Sequence, residues 1–146
     1  MYFTKDMELP ETFDGGGLSH FRIVPIVGGP VPIRLAARAL EAAAQLAEQR
    51  IDAAVLHIST LKPFDAGSVA TLLQRVKRVV TIENHVVSGG LGSAVAEVAA
   101  RGGYAIRWKQ VALPDAFCVS GSIPYLTELY KMRSGDIAET ASSLFE

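Results

Sequence analysis

Glu83-Asn84-His85, followed by Gly89-Gly90-Leu91-Gly92, is where residue types and spacing come nearest to chemistry in this chain. An acid, an amide and an imidazole sit together at the end of the β-branched run Val79-Val80-Thr81-Ile82. Functional groups of α/β proteins collect at the C-terminal ends of strands. Gly89, Gly90 and Gly92 leave backbone N–H groups open toward an anion or a partner's carbonyl. Two readings stand side by side. The segment is an interaction surface, or it is a loop whose polar residues satisfy its own backbone and cap the next helix.

A second glycine turn, Gly28-Gly29-Pro30, also lies between a strand-like run and a helix-like one. Pro30, Val31, Pro32 and Ile33 occupy the positions that a G-x-G-x-x-G nucleotide loop requires, so a structural tight turn is the better reading. His20 and His57 lack metal-ligand spacing to another His, Cys or carboxylate. Cys118 has no histidine near it in sequence and reads as a small buried residue. Ser120-Gly121-Ser122 is not a G-x-S-x-G elbow, and Ser122 is expected to cap the helix that Pro124 begins. Asp115 and Asp136 suit turn and capping work. The residues supply no nucleophile–base pair, metal set or phosphate loop, so no catalytic, cofactor-binding or metal residue is assigned.

The elements that position these groups alternate in texture. Arg22 to Val27 reads as a strand, then a helix follows with Arg34, Arg38, Glu41, Gln45 and Glu48 on its wet face. Its opposite face is expected to be Leu35, Ala39, Leu40, Ala43, Leu46 and Ala47. Ala54 to Ile58 is a buried-type strand, and Asp65 caps a helix with the stripe Val69, Leu72, Leu73 and Val76. Val79 to Glu83 is the next strand, followed by a helix with Ser93, Glu97 and Arg101 outward, ended by Gly102-Gly103. Tyr104, Ile106 and Trp108 alternate with Arg107 and Lys109 as in a half-exposed strand. Short helices are predicted around Tyr125 to Lys131 and Asp136 to Phe145. This order means an α/β fold with a parallel sheet and right-handed crossovers.

With 146 residues the chain has the size of one domain and can bury one core. Residues 1–20 mix charges, Pro10 and the run Gly15-Gly16-Gly17, and read as a linker or a remnant first strand before a domain over 21–146. Fourteen basic against 15 acidic residues argue against a nucleic-acid or membrane-surface partner. One cysteine, no signal pattern at the N-terminus and no membrane-length apolar run point to a cytoplasmic setting.

Taken together, IVGGPVPIRLAARALEAAAQL, AAVLHISTLKPFD, RVVTIENHVVSGGLGSAVAEV, and LPDAFCVSGSIPYLTELY with DIAETASSLF resemble the C-terminal domain of transketolases and related thiamin-diphosphate enzymes. These stretches cover about Phe21 to Glu146 in family order, and they look closest to the separate C-terminal half of two-piece bacterial transketolases. Deoxyxylulose phosphate synthase and 2-oxoacid dehydrogenase β chains carry the same domain. The resemblance implies a three-layer α/β/α sandwich whose five strands run 1-3-2-4-5, the first antiparallel to the rest. Pro25 would then fall on an interior strand, where a local irregularity is expected. The order reverses between strands two and four, so Gly28, Gly29, Glu83, Asn84, His85, Gly89, Gly90 and Gly92 are expected to line one crevice.

In the family, thiamin diphosphate and its magnesium are held between an N-terminal pyrophosphate domain and a middle pyrimidine domain. This sequence has no G-D-G with a following Asn, so no cofactor is expected on this chain alone. The resemblance implies an assembly domain or subunit whose partners are the N-terminal transketolase domains and further copies of itself. A small-molecule-binding regulatory module and an independent enzyme are the competing readings.

Overall fold

The computed structural model describes residues 2–3, 24–28 and 33–146. Five strands, β1 (Tyr2–Phe3), β2 (Val24–Gly28), β3 (Val55–Ile58), β4 (Arg78–Val86) and β5 (Arg107–Leu113), form one sheet in the order β1-β3-β2-β4-β5. Five helices, α1 (Ile33–Glu48), α2 (Ala66–Arg75), α3 (Leu91–Gly102), α4 (Ile123–Leu129) and α5 (Ser134–Ser142), complete the described fold. The strand order is the expected one. The direction of the first strand is not.

Tyr2 pairs with Val55 and Phe3 with Leu56, so β1 runs parallel to β3 rather than antiparallel. Residues 4–23 separate β1 from β2, and the two strands flank β3 instead of pairing with each other. No tight hairpin therefore imposes reversal. Apart from Tyr2 and Phe3, the predicted linker over 1–20, including His20, lies outside the described residues, as do Gly29 and Pro30.

Pro25 keeps regular register. It pairs with Val80 in an unbroken run from Val24↔Val79 to Gly28↔Glu83, so the expected irregularity does not occur there. The ladder to β3 starts only at Ile26, so one flank of Pro25 carries no pairing for the missing N–H to interrupt. The irregularity falls instead on β4, where pairing with β5 shifts between Ile82 and Val86.

Both sheet faces are covered, which explains the nearly continuous apolar runs of the inner strands. On one face Val27, Val55, Val80 and Ile82 meet α1 and α5 through Leu35, Ala39, Leu46 and Ile137. On the other, Ile26, Ile58 and Val79 meet α2 and α3 through Val69, Leu73, Leu91 and Val95. The stripe predicted for α2 is buried as expected. That of α1 is rotated: Ala36 and Ala42 are buried, whereas Leu40 and Ala47 face solvent. Leu35, Ala39, Ala42 and Leu46 follow steps of four, three and four, the stripe that a 3.6-residue turn keeps on one side.

Local signals set the helix ends. Asp65 accepts from Ser68 N at 3.0 Å and Ser68 Oγ at 2.7 Å. Ser122 accepts from Tyr125 N, and Asp136 from Arg133 N. Gly103 closes α3 at φ 64°, a left-handed position that glycine takes without strain. Glu97 and Arg101 pair at 2.6 Å, both largely exposed. At the C-terminus the carbonyl of Leu144 accepts from Arg78 Nε and Arg107 Nη1, and the Arg78 guanidinium stacks over Phe145.

The rotated stripe gives a direct test. Leu46→Ala should cost about 2–5 kcal/mol in urea unfolding, because Leu46 is fully buried. Leu40→Ala should cost less than about 1 kcal/mol, since Leu40 is 39% exposed. Equal costs would mean that α1 does not use the face described.

Candidate functional site

The register shift at the end of β4 decides where the candidate residues point. Ile82 pairs with Val111 and Val86 with Leu113, so β4 advances four residues while β5 advances two. Such a bulge re-aims side chains. Glu83 turns inward and is only 2% exposed, whereas Asn84 and His85 are exposed.

Glu83 is spent inside the fold. Its Oε2 accepts from Leu91 N at 2.6 Å. Its Oε1 accepts from Gly92 N at 2.8 Å and from Gln110 Nε2 at 2.7 Å. Leu91 and Gly92 open α3, so the carboxylate meets unsatisfied N–H groups at the positive end of the helix. Gly90, the residue at the helix cap, has no side chain to do this. A Cβ on Gly90 would overlap Glu83 Oε2, and a Cβ on Gly92 would overlap the Gln110 amide. The glycines serve close approach.

At this point the loop caps its own helix: the N–H groups of Leu91 and Gly92 are held by an internal carboxylate and do not stand open toward an external anion. Gly89 N donates to Ser93 Oγ at 2.8 Å, and Val87 N to Leu113 O at 2.9 Å. Gln110 ties the loop further through Nε2 to Val87 O at 3.0 Å. Sequence reasoning missed Gln110, although a signal existed. It continues the parity of Tyr104, Ile106 and Trp108, so it is a polar residue on the apolar face of β5.

The residues expected to line one crevice are distributed over two cavities and a strand pair. Gly28 pairs directly with Glu83, which brings the ends of β2 and β4 together, while Gly29 lies outside the described residues. Asn84 lines a cavity of about 340 Å³ whose walls include Leu35, Leu113, Val119, Ile123 and Leu126. Gly89 and Gly90 border a separate groove of about 940 Å³ between α2 and α3. The exposed part of His85 stands on the bulge, with Nδ1 3.0 Å from Val86 O. A carbonyl oxygen only accepts, so this contact places the ring proton on Nδ1.

Cys118 is exposed, contrary to the buried position expected of it. It lies in a run, residues 114–125, that is exposed throughout. The loop after β5 is too rich in Pro, Gly and Ser to join the sheet, so its apolar residues have no layer to enter. Phe117 is fully exposed, and Val119, Ile123, Tyr125 and Leu129 are each near half-exposed. The Tyr130 hydroxyl accepts from Val119 N, and its hydrogen bond with Cys118 and burial hold its pKa above the ordinary range. His57 is half-buried in β3, and burial lowers its pKa. Among the described residues, no group of three His, Cys, Asp or Glu could hold a metal ion, and no helix is long and apolar enough to cross a membrane.

Comparison with known proteins adds the family. Residues 34–137 match the model for the transketolase C-terminal domain. An uncharacterized transketolase family protein of Sinorhizobium fredii is 45% identical over 97 residues, 64% of this chain and 28% of its own length. A 6-deoxy-6-sulfo-D-fructose transketolase subunit of a Clostridium species is 37% identical over 123 residues, 82% of this chain and 38% of its own. Among solved structures, a split gene transketolase described as an inactive beta4 tetramer overlays with a TM-score of 0.74 at 34% identity. That overlay covers 85% of this chain and 39% of the other. The chain thus spans well under half the length of these relatives.

The buried carboxylate can be tested directly. Glu83→Gln keeps the shape but turns an amide N–H₂ toward backbone donors. We expect a loss of about 3 kcal/mol in denaturant unfolding. A loss below about 1 kcal/mol would mean that these contacts do not hold the α3 N-terminus.

Proposed function

The chain belongs to the transketolase C-terminal domain family, and from that premise we propose that it is a non-catalytic docking domain of a transketolase-type enzyme. The assembled enzyme would move a two-carbon ketol unit between sugar phosphates. The relatives it matches are much longer, and the missing portion would supply the thiamin-diphosphate and magnesium ligands.

The residues described here do not suit that cofactor. The most glycine-rich helix start, at α3, already binds the Glu83 carboxylate, and a diphosphate placed there would meet a negative charge instead of free N–H groups. No step of the reaction is assigned to this chain.

The observation that carries the docking reading is the exposed apolar stretch from Phe117 to Leu129. Large apolar side chains grouped on one surface mark an interface more often than a free face. Covering them removes apolar area from water at roughly 25 cal/mol per Å². The same stretch favours self-association of the isolated chain, and the beta4 tetramer among its structural neighbours supports that expectation.

The test is reconstitution. The N-terminal portion of the same enzyme is assayed for ketol transfer and thiamin-diphosphate affinity alone, with this chain, and with Phe117→Asp. Wild-type chain should raise both readouts, and Phe117→Asp should weaken association at least about tenfold without changing the chain's own melting temperature. Full activity and cofactor affinity in the N-terminal portion alone would sink the proposal. So would a chain that sediments as a strict monomer at high concentration and binds nothing.

A further inference from the structure

Two guanidiniums stand beside the exposed apolar stretch with no ion-pair partner among the described residues. Arg34 and Arg38, one turn apart on α1, line the 340 Å³ cavity together with Leu35, Val119, Ile123 and Leu126. Among the described residues neither forms an ion pair or hydrogen bond. Among the described residues, Glu41 and Glu128 border an adjoining depression that Arg34 and Arg38 also line, and Glu128 is engaged by Arg133 at 3.3 Å. Among the described residues, the cavity itself has an apolar body and a rim whose only charges are positive.

We infer that this cavity receives a segment of the partner chain carrying a bulky apolar side chain flanked by carboxylates. The inference rests on the docking reading above and names what the partner presents. At about 340 Å³ the cavity is at the small end for a ligand pocket and suits one large side chain. Phe117, Tyr125 and Leu129 are chain neighbours of the lining residues Cys118, Leu126 and Tyr130. A small solute in the cavity would leave those three side chains in water, whereas a protein segment would cover them. Guanidiniums match carboxylates through paired N–H donors, so Arg34 and Arg38 select an acidic flank. The amide of Asn84 on the same wall can serve the segment's backbone.

The experiment uses two blocked tripeptides, acetyl-Asp-Phe-Asp-amide and acetyl-Asn-Phe-Asn-amide, titrated into the full chain and followed by amide NMR. The acidic peptide should bind at least about fivefold tighter, with shifts centred on Leu126 and Thr127. The preference should vanish in the double variant Arg34→Gln/Arg38→Gln and shrink in about 0.5 M salt. Arg34 is exposed and Arg38 half-buried, so the double variant should keep the wild-type spectrum elsewhere. Equal affinities, no binding by either peptide at millimolar concentration, or shifts confined to the α2–α3 groove would overturn the inference. A second arm measures association with the N-terminal portion. If the wild-type and double-variant chains associate equally, the acidic key is refuted and the docking domain stands. Charge-selective peptide binding without any association supports the cavity's chemistry and refutes the docking reading.

Discussion

A carboxylate that is 2% exposed can stay at the centre of this fold only because three N–H donors converge on it. Burying a charge costs several kcal/mol, and each charge-assisted hydrogen bond returns roughly 1.5–3 kcal/mol. Glu83 thus fixes the positions of its donors as much as they fix it. Two belong to the first turn of α3 and one to Gln110 on β5. One side chain thereby joins the end of β4, the start of the next helix and the edge strand. The bulge in β4 and the bare backbone of Gly90 and Gly92 follow from the need to bring these groups together.

That constraint separates the two kinds of residue the loop contains. Once Glu83 faces inward, the bulge turns Asn84 and His85 outward beside the C-terminal ends of the strands. Polar groups are used twice, inside to hold the helix and outside on a wall of the cavity next to α4. The layers agree with this division. Each face of the sheet closes on its own pair of helices, α5 included, so the apolar residues of the run 114–125 are left with no interior to fill.

Much of the architecture was legible because it is periodic. The α2 stripe and the caps at Asp65 and Ser122 follow from patterns local to their segments, whereas the strand order came from the family resemblance. The α1 face was misread by about one position, since an alanine-rich helix offers few large residues to fix its rotation. The direction of β1 was misread because two residues of strand hold no directional signal. Cys118 was misplaced for a different reason. Composition says that cysteine is usually buried, but burial needs a layer, and the loop after β5 has none. The link from Glu83 to Gln110 was invisible because the two are distant in sequence. Its only mark was a polar residue at an apolar parity.

The sequence left interaction and self-capping open for the glycine-rich crevice, and the geometry shows capping at Glu83, Leu91 and Gly92. A surface that recognises a partner needs groups whose bonds are unmade, and the α3 N-terminus has none to spare at Leu91 and Gly92. The unmade bonds and uncovered apolar area lie on the α1–α4 side, around Arg34, Arg38, Ile123 and Phe117. Rigid burial of Glu83 still matters to that side, because the same bulge that turns the carboxylate inward sets Asn84 into the cavity wall. The interior carboxylate and the placement of Asn84 on the cavity wall are therefore two consequences of one irregular strand. A change that straightened β4 would disturb both.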